Sequence, residues 1–199
     1  VEDGAEFLPL FWGAVFAGVV PVPLPPEPTR IAAVATLLGD PPHVAGAPPA
    51  HAKPLPAPVP VGADDLAFLQ FSSGSTGTPK GVELTHGNVA ANVEQAARAA
   101  ALGADDVVLT WMPYFHDMGL IGTHLVPLHR RCKQVRIDPL TFAKRPEVWL
   151  RTAQRHRATV LSAANFALAL TNRRVRPEVL DDLDLSSVRL MIVGAEPIS

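Results

Sequence analysis

A chain of 199 residues, 48% apolar and 18% charged, can bury a core of its own as one sizeable domain or two small ones, which excludes a disordered segment. Its 17 basic and 19 acidic side chains leave a net charge of -2, so there is no electrostatic reason to expect nucleic acid or an anionic membrane surface. The single cysteine, Cys132, excludes an internal disulfide and a thiolate metal cluster. It reads as a small buried hydrophobe in a protein of a reducing compartment, the cytoplasm.

The first apolar run, "FLPLFWGAVFAGVVPVPL" over residues 7–24, is long enough to raise the question of a membrane span. Pro9, Pro21 and Pro23 interrupt it, and the charges upstream (Glu2, Asp3, Glu6) are acidic where a signal peptide needs a basic leader. No membrane span is expected. The run reads as a buried helix over 7–17, with Gly13, Ala14, Ala17 and Gly18 allowing close approach, then a short strand over 19–22. Thirteen of the 21 prolines fall between Pro21 and Pro60. One helix survives there, over 29–38. The rest of 25–62 is expected to be a semi-rigid connector, a ligand for a proline-binding module being the alternative.

From residue 63 the pattern alternates. Strands are expected over 66–71, 82–84, 107–111, 135–137, 159–162 and 188–193. Helices are expected after Thr85, over 118–128, after Pro146, and over 165–172 and 177–183. This alternation predicts an α/β fold of mainly parallel sheets with flanking helices. Ligands of such sheets collect beyond the carboxyl ends of the strands. Three loops, 72–81, 113–117 and 194–197, are therefore expected to face one cleft.

The first of these loops lies in "FSSGSTGTPKGVELTH". Gly74 and Gly77 can take positive φ and let backbone N–H groups curl around an oxyanion. Ser72, Ser73, Ser75, Thr76 and Thr78 add hydroxyl donors, Lys80 adds a compact cation, Pro79 stiffens the exit and Gly81 opens the next strand. The spacing is neither Walker A nor the dinucleotide fingerprint. It reads as a phosphate-holding loop, where the plain alternative is a flexible surface loop.

That string resembles the signature phosphate loop of the adenylate-forming superfamily, which unites acyl-CoA synthetases, nonribosomal peptide synthetase adenylation domains and luciferases. "WMPYFHDMGLIG" resembles the motif carrying a substrate-side histidine, and "VRLMIVGAEPIS" the strand and loop that border adenine; both take the forms typical of the fatty acyl-AMP ligase branch. "FWGAVFAGVVPVPL" is similar to the early helix and strand of that family's large domain, and residues 25–60 depart from it. The resemblance implies part of an N-terminal domain. Its first helix and strand would lie in 1–24, a shortened connector in 25–62 and the ATP-binding portion in 63–199.

The chemistry implied is ATP- and Mg²⁺-dependent conversion of a carboxylic acid to an acyl adenylate, passed to an acyl carrier protein or to CoA. Residues 72–78 with Lys80 and Gly81 would hold the β- and γ-phosphates, Lys80 balancing departing charge. His116 would orient the acyl carboxylate beside the α-phosphate, and Met118, Gly119, Asn165 and Phe166 would meet the substrate. Gly194, Ala195, Glu196 and Pro197 would border adenine. Asp117 either caps the following helix or shares in catalysis. The apolar set Leu120, Ile121, Leu125, Val126, Phe166, Leu168 and Leu170 packs the core or lines an acyl tunnel. His43, His51, His86, His124, His129 and His156 show no metal-ligand spacing and are expected to be structural or surface groups. No residue of this chain is expected to ligate a metal.

The chain starts without Met and stops just after an apolar run, so truncation at both ends is expected. The resemblance puts the Mg²⁺-holding loop, the ribose-binding Asp and a small domain with the catalytic Lys after the adenine segment. Residues 1–199 alone are therefore expected not to turn over. Two alternatives accompany the carrier-protein ligase: a ligase that ends at CoA, and a non-catalytic nucleotide-binding or interaction remnant.

Overall fold

The computed structural model describes residues 4–39, 57–72 and 79–196. The chain divides into two compact units, Val1–Ala91 and Asn92–Ser199.

The first unit opens with helix α1 (Gly4–Phe16). Phe11 on α1 is buried and sets its ring edge-on to Phe68, centroids 5.7 Å apart. Gly18, at φ 70°, ends the helix: the Val19 N–H turns back to Ala14 O at 2.9 Å. A Cβ on Gly18 would lie 3.2 Å from Val59, whereas one on Gly13 would meet nothing within 4 Å, so the close approach falls on Gly18 and not on Gly13.

The strand expected over 19–22 does not form. Beyond the Val19 N–H bond that closes α1, the segment accepts Leu69 N–H at Pro21 O, 3.0 Å away. Pro21 and Pro23 have no N–H to give a ladder, which is why it stops there. Helix α2 (Pro28–Leu38) has Pro28 in its first turn and Gly39 at φ 72° just past its end. Much of the proline-rich connector, residues 40–56, lies outside the described residues.

Strands β1 (Leu66–Ser72) and β2 (Lys80–Thr85) pair antiparallel, with Ser72 opposite Lys80 and Phe71 opposite Gly81. A register shift between Leu66 and Phe68 turns Ala67 and Phe68, adjacent in sequence, both inward. Helix α3 (His86–Ala99) follows directly. Its entry is a reciprocal cap: Asn88 N–H donates to Thr85 Oγ1 at 3.1 Å, and Thr85 N–H to Asn88 Oδ1 at 3.2 Å.

The second unit is a four-stranded sheet of β3 (Val107–Thr110), β4 (Lys133–Arg136), β5 (Val160–Ala164) and β6 (Leu190–Gly194). All neighbours are parallel, in the order β4-β3-β5-β6. The crossovers carry the π-helical stretch Met118–Leu125 running into α4 (Val126–His129), then α5 (Pro139–Lys144) with α6 (Glu147–His156), then α7 (Asn165–Arg174) with α8 (Pro177–Asp181). Every residue of β5 is buried, as a central strand covered on both faces requires. Its one polar side chain, Ser162, is satisfied by donating to Thr110 Oγ1 at 2.9 Å.

The core beside the sheet is aromatic: Trp111 stacks on Phe142 at 4.2 Å, and Phe142 meets Trp149 edge-on at 5.8 Å. Cys132 is buried, as expected, with its Sγ donating to Gly103 O; burial pushes the thiol above its ordinary range. Of the proposed tunnel set, Leu120, Leu125 and Val126 are core residues, while Phe166 is half exposed.

Candidate active site

The carboxyl edge of the parallel sheet carries two of the three expected loops. After β3 the chain closes a turn in which His116 N–H donates to Pro113 O at 3.1 Å. The His116 carbonyl then accepts from both Gly119 N–H and Leu120 N–H at 2.9 Å, starting the π-helical stretch. A Cβ on Gly119 would stand 1.9 Å from Pro113 O, so only glycine lets the helix begin so close to its own loop. π-helical turns are uncommon and gather at functional sites.

His116 is partly exposed and Asp117 largely exposed on this turn, and the ring Nδ1 lies 2.7 Å from Asp117 Oδ1. The same carboxylate oxygen accepts from Met118 N–H at 2.6 Å. Asp117 therefore caps the helix, as one of the two expectations had it, and the same oxygen also pairs with the histidine. The neighbouring imidazole, followed by the Met118 N–H, holds its carboxyl below the usual carboxylate range against the opposing effect of burial.

The loop after β6 comes to the same place. A Cβ at Gly194 would lie 3.6 Å from the Met118 methyl, so Met118 packs onto Gly194. Ala164 pairs in register with Gly194, and Glu196 Oε1 accepts from Phe166 N–H at the start of α7. Ala195 takes φ 73°, a left-handed conformation unusual for a residue with a Cβ. Phe166 in turn sets its ring against Trp111 at 5.7 Å, in a T-shaped arrangement. Of the sequence-derived candidates, His116, Met118, Gly119, Asn165, Phe166, Gly194, Ala195 and Glu196 thus lie along one edge of one sheet.

The phosphate-loop candidates stand differently. Ser73, Gly74, Ser75, Thr76, Gly77 and Thr78, and likewise Pro197, lie outside the described residues. What is described is the frame: Ser72 and Lys80 face each other at the open end of an antiparallel pair. The strands that flank the loop, β1 and β2, pair antiparallel in a sheet of their own and do not belong to the parallel sheet that carries His116, where the alternation along the sequence placed them. A link this short can join only antiparallel neighbours. Lys80 is exposed and makes no ion pair among the described residues. A Cβ on Gly81 would meet the Phe71 ring at 2.9 Å.

A polar cluster beside the histidine loop escaped the sequence reading. The Arg136 guanidinium lies 3.6 Å over the Tyr114 ring and donates through Nη2 to Met112 O, while burial lowers its affinity for the proton. His124 is buried with Nδ1 2.8 Å from Gln134 Oε1. Gln134 and Arg136, alternate polar residues two apart in the strand "KQVR" and so on one face of it, are the signal that could have revealed it.

This edge has the form of a ligand-binding face in a parallel α/β fold, with an imidazole and a strained turn at the strand ends. The AMP-binding enzyme family matches residues 29–199, and the chain belongs to that family. It is 41% identical over 138 residues to the medium-chain-fatty-acid–[acyl-carrier-protein] ligase JamA of Moorena producens, covering 69% of this chain and 23% of that protein. It is 33% identical over 234 residues to the long-chain-fatty-acid–AMP ligase FadD26 of Mycobacterium marinum, covering 98% of this chain and 40% of that one. The fatty acyl-adenylate ligase of L. pneumophila, solved with acyl adenylate and pyrophosphate, superposes with a TM-score of 0.88 at 28% identity, over all of this chain and 39% of that one. The chain thus spans between about a quarter and two-fifths of the length of these proteins.

Proposed function

We propose that the chain is the ATP-binding portion of an enzyme that adenylates a fatty acid and passes the acyl group to the phosphopantetheine thiol of an acyl carrier protein. The observation that carries this reading is the contact of Met118 with Gly194, which joins the histidine loop to the Gly-Ala-Glu turn. The names of JamA and FadD26 support the acid and the carrier.

In the proposed reaction a carboxylate oxygen attacks the α-phosphorus of ATP. The bond to the bridging oxygen breaks, and pyrophosphate leaves with the electron pair. The physical problem is bringing an anion to a polyanion, which calls for preorganised donors. His116 orients the carboxylate beside the α-phosphate. Lys80 and residues 72–78, with Gly81, hold the β- and γ-phosphates between strand ends that the β1–β2 register keeps side by side. Glu196 directs its side chain to Phe166 N–H, and Gly194, Ala195 and Glu196 offer main-chain groups to adenine, with Pro197 beside them. Met118, Gly119, Asn165 and Phe166 meet the acyl side. Residues 63–199 are the nucleotide-binding part in this reading, with 1–24 as the opening helix of the same domain and 25–62 as connector.

The donor set fits nucleotide phosphates: hydroxyls, backbone amides and an exposed ammonium. Mg²⁺ would neutralise phosphate charge, and it takes oxygen ligands chiefly from phosphates and water. Among the described residues no three His, Cys, Asp or Glu side chains gather to hold a metal.

A non-hydrolysable acyl-adenylate analogue, a dodecanoyl sulfamoyl adenosine, tests the reading by calorimetry. The chain should bind it in competition with ATP, and His116→Ala should weaken that binding. A folded chain that ignores the analogue would overturn the proposal.

A further inference from the structure

The pairing of His116 with Asp117 is unusual because adjacent side chains ordinarily diverge. It arises here from the tight turn over 113–119, which Gly119 makes possible by letting the helix begin against Pro113 O. Two acceptors compete there for the Met118 N–H: Asp117 Oδ1 at 2.6 Å and the ring Nδ1 at 3.2 Å. The carboxylate wins on distance and charge. A bare Nδ1 lone pair 2.7 Å from that carboxylate oxygen would be repelled, so the ring proton belongs between the two atoms.

We propose that Asp117 is a positioning residue: its carboxylate fixes the proton of His116 on Nδ1, holds the ring plane, and leaves Nε2 as the atom that meets the substrate. The inference rests on the adenylation reading only in naming Nε2 as the substrate-facing atom. Which ring nitrogen carries the proton is set by the partner of the other, and a ring free to adopt either tautomer or to rotate would not present one fixed atom. The carboxylate stays ionised because the imidazole and the Met118 N–H both favour its anion. Capping and positioning are served by one oxygen, so a change at residue 117 must be chosen to separate them.

Long-range 1H–15N correlation spectra of the histidine rings, recorded at about pH 8 where ordinary histidines are neutral, provide the test. His116→Gln identifies the resonance by its loss. The wild-type ring should carry its proton on Nδ1. Asp117→Asn should keep that tautomer, because an amide oxygen still accepts from Nδ1–H. Asp117→Ser should keep the helix cap and the melting temperature yet release the proton to Nε2, the site free imidazole prefers. In the acyl-adenylate analogue assay, Asp117→Ser should lose roughly ten- to hundredfold in affinity, the share of one charge-assisted hydrogen bond, with Asp117→Asn recovering most of it. A wild-type ring protonated on Nε2, or a Ser variant with an unchanged ring spectrum, would overturn the inference. Loss of analogue binding in the wild type, with the tautomer as stated, would sink the adenylation reading and leave this one standing.

Discussion

Arg189 grips Asp106 with two nitrogens, Nε to Oδ1 at 2.9 Å and Nη2 to Oδ2 at 2.6 Å. The same guanidinium donates to Ala100 O and Ala101 O past the end of α3, and Asp106 also accepts from Thr159 Oγ1 and Gly103 N–H. One ion pair thus ties the approaches to β3, β5 and β6 to the end of α3, at the sheet edge opposite the candidate site. Arg189, its hydrogen bonds foremost, holds the Asp106 carboxyl far below the usual carboxylate range.

Removing that carboxylate strands a guanidinium that is partly exposed. Asp106→Asn should therefore cost about 2–3 kcal/mol, less than the loss of one partner from a fully buried pair. A depressed folded pKa adds stability that is present above the unfolded value, about 3.9, and is lost as pH falls through the folded one. Urea melts between pH 7 and pH 2 should show the wild type losing its advantage below about pH 4, with the variant's acid limb flatter. Parallel limbs would contradict the account.

Gly119 and Gly122 sit three apart in one helical stretch and should respond in opposite ways. A methyl at 119 meets backbone at 1.9 Å, which cannot yield, whereas at 122 its nearest neighbour is the Met118 side chain at 3.9 Å. Gly119→Ala should lose about 3 kcal/mol or more. Gly122→Ala should stay within about 1 kcal/mol, on the stabilising side. Thermal unfolding of the two variants decides it.

His124 is buried between Tyr114 and Gln134, and burial holds its ring below the ordinary histidine range. The unfolded chain takes the proton more readily. The contribution to stability is thus whole above about pH 6.5 and is lost as pH falls below it. His124→Gln should cost about 1 kcal/mol at pH 7 and less at pH 5, a convergence that melts at both values would reveal. A constant difference would show that the buried ring does not titrate with unfolding.

Lys80 lies on the surface, so its loss should leave stability unchanged and act on nucleotide alone. Lys80→Ala should weaken ATP binding about tenfold or more, and the difference should shrink as salt rises. Calorimetry at low and high ionic strength checks both parts. Equal affinities at low salt would take Lys80 out of the phosphate site.

From residue 63 onward the six strands and the helices other than α5 were legible in the sequence, because burial on one face or two imposes a period on the order of apolar and polar residues. The Gly/Ser/Thr string before Lys80 and the His-Asp and Gly-Ala-Glu motifs were legible too, since those residue types have few other reasons to gather. Sequence order did not show that β1 and β2 form a sheet of their own, although a link of that length between them leaves no room for a crossover. Nor could it show that Arg189 meets Asp106 or that Met118 reaches Gly194. Such pairs are selected by how layers stack, and each is held only when the rest of the core is in place. Local preference shapes each element from its own residues; the meeting of distant side chains is a property of the packed whole.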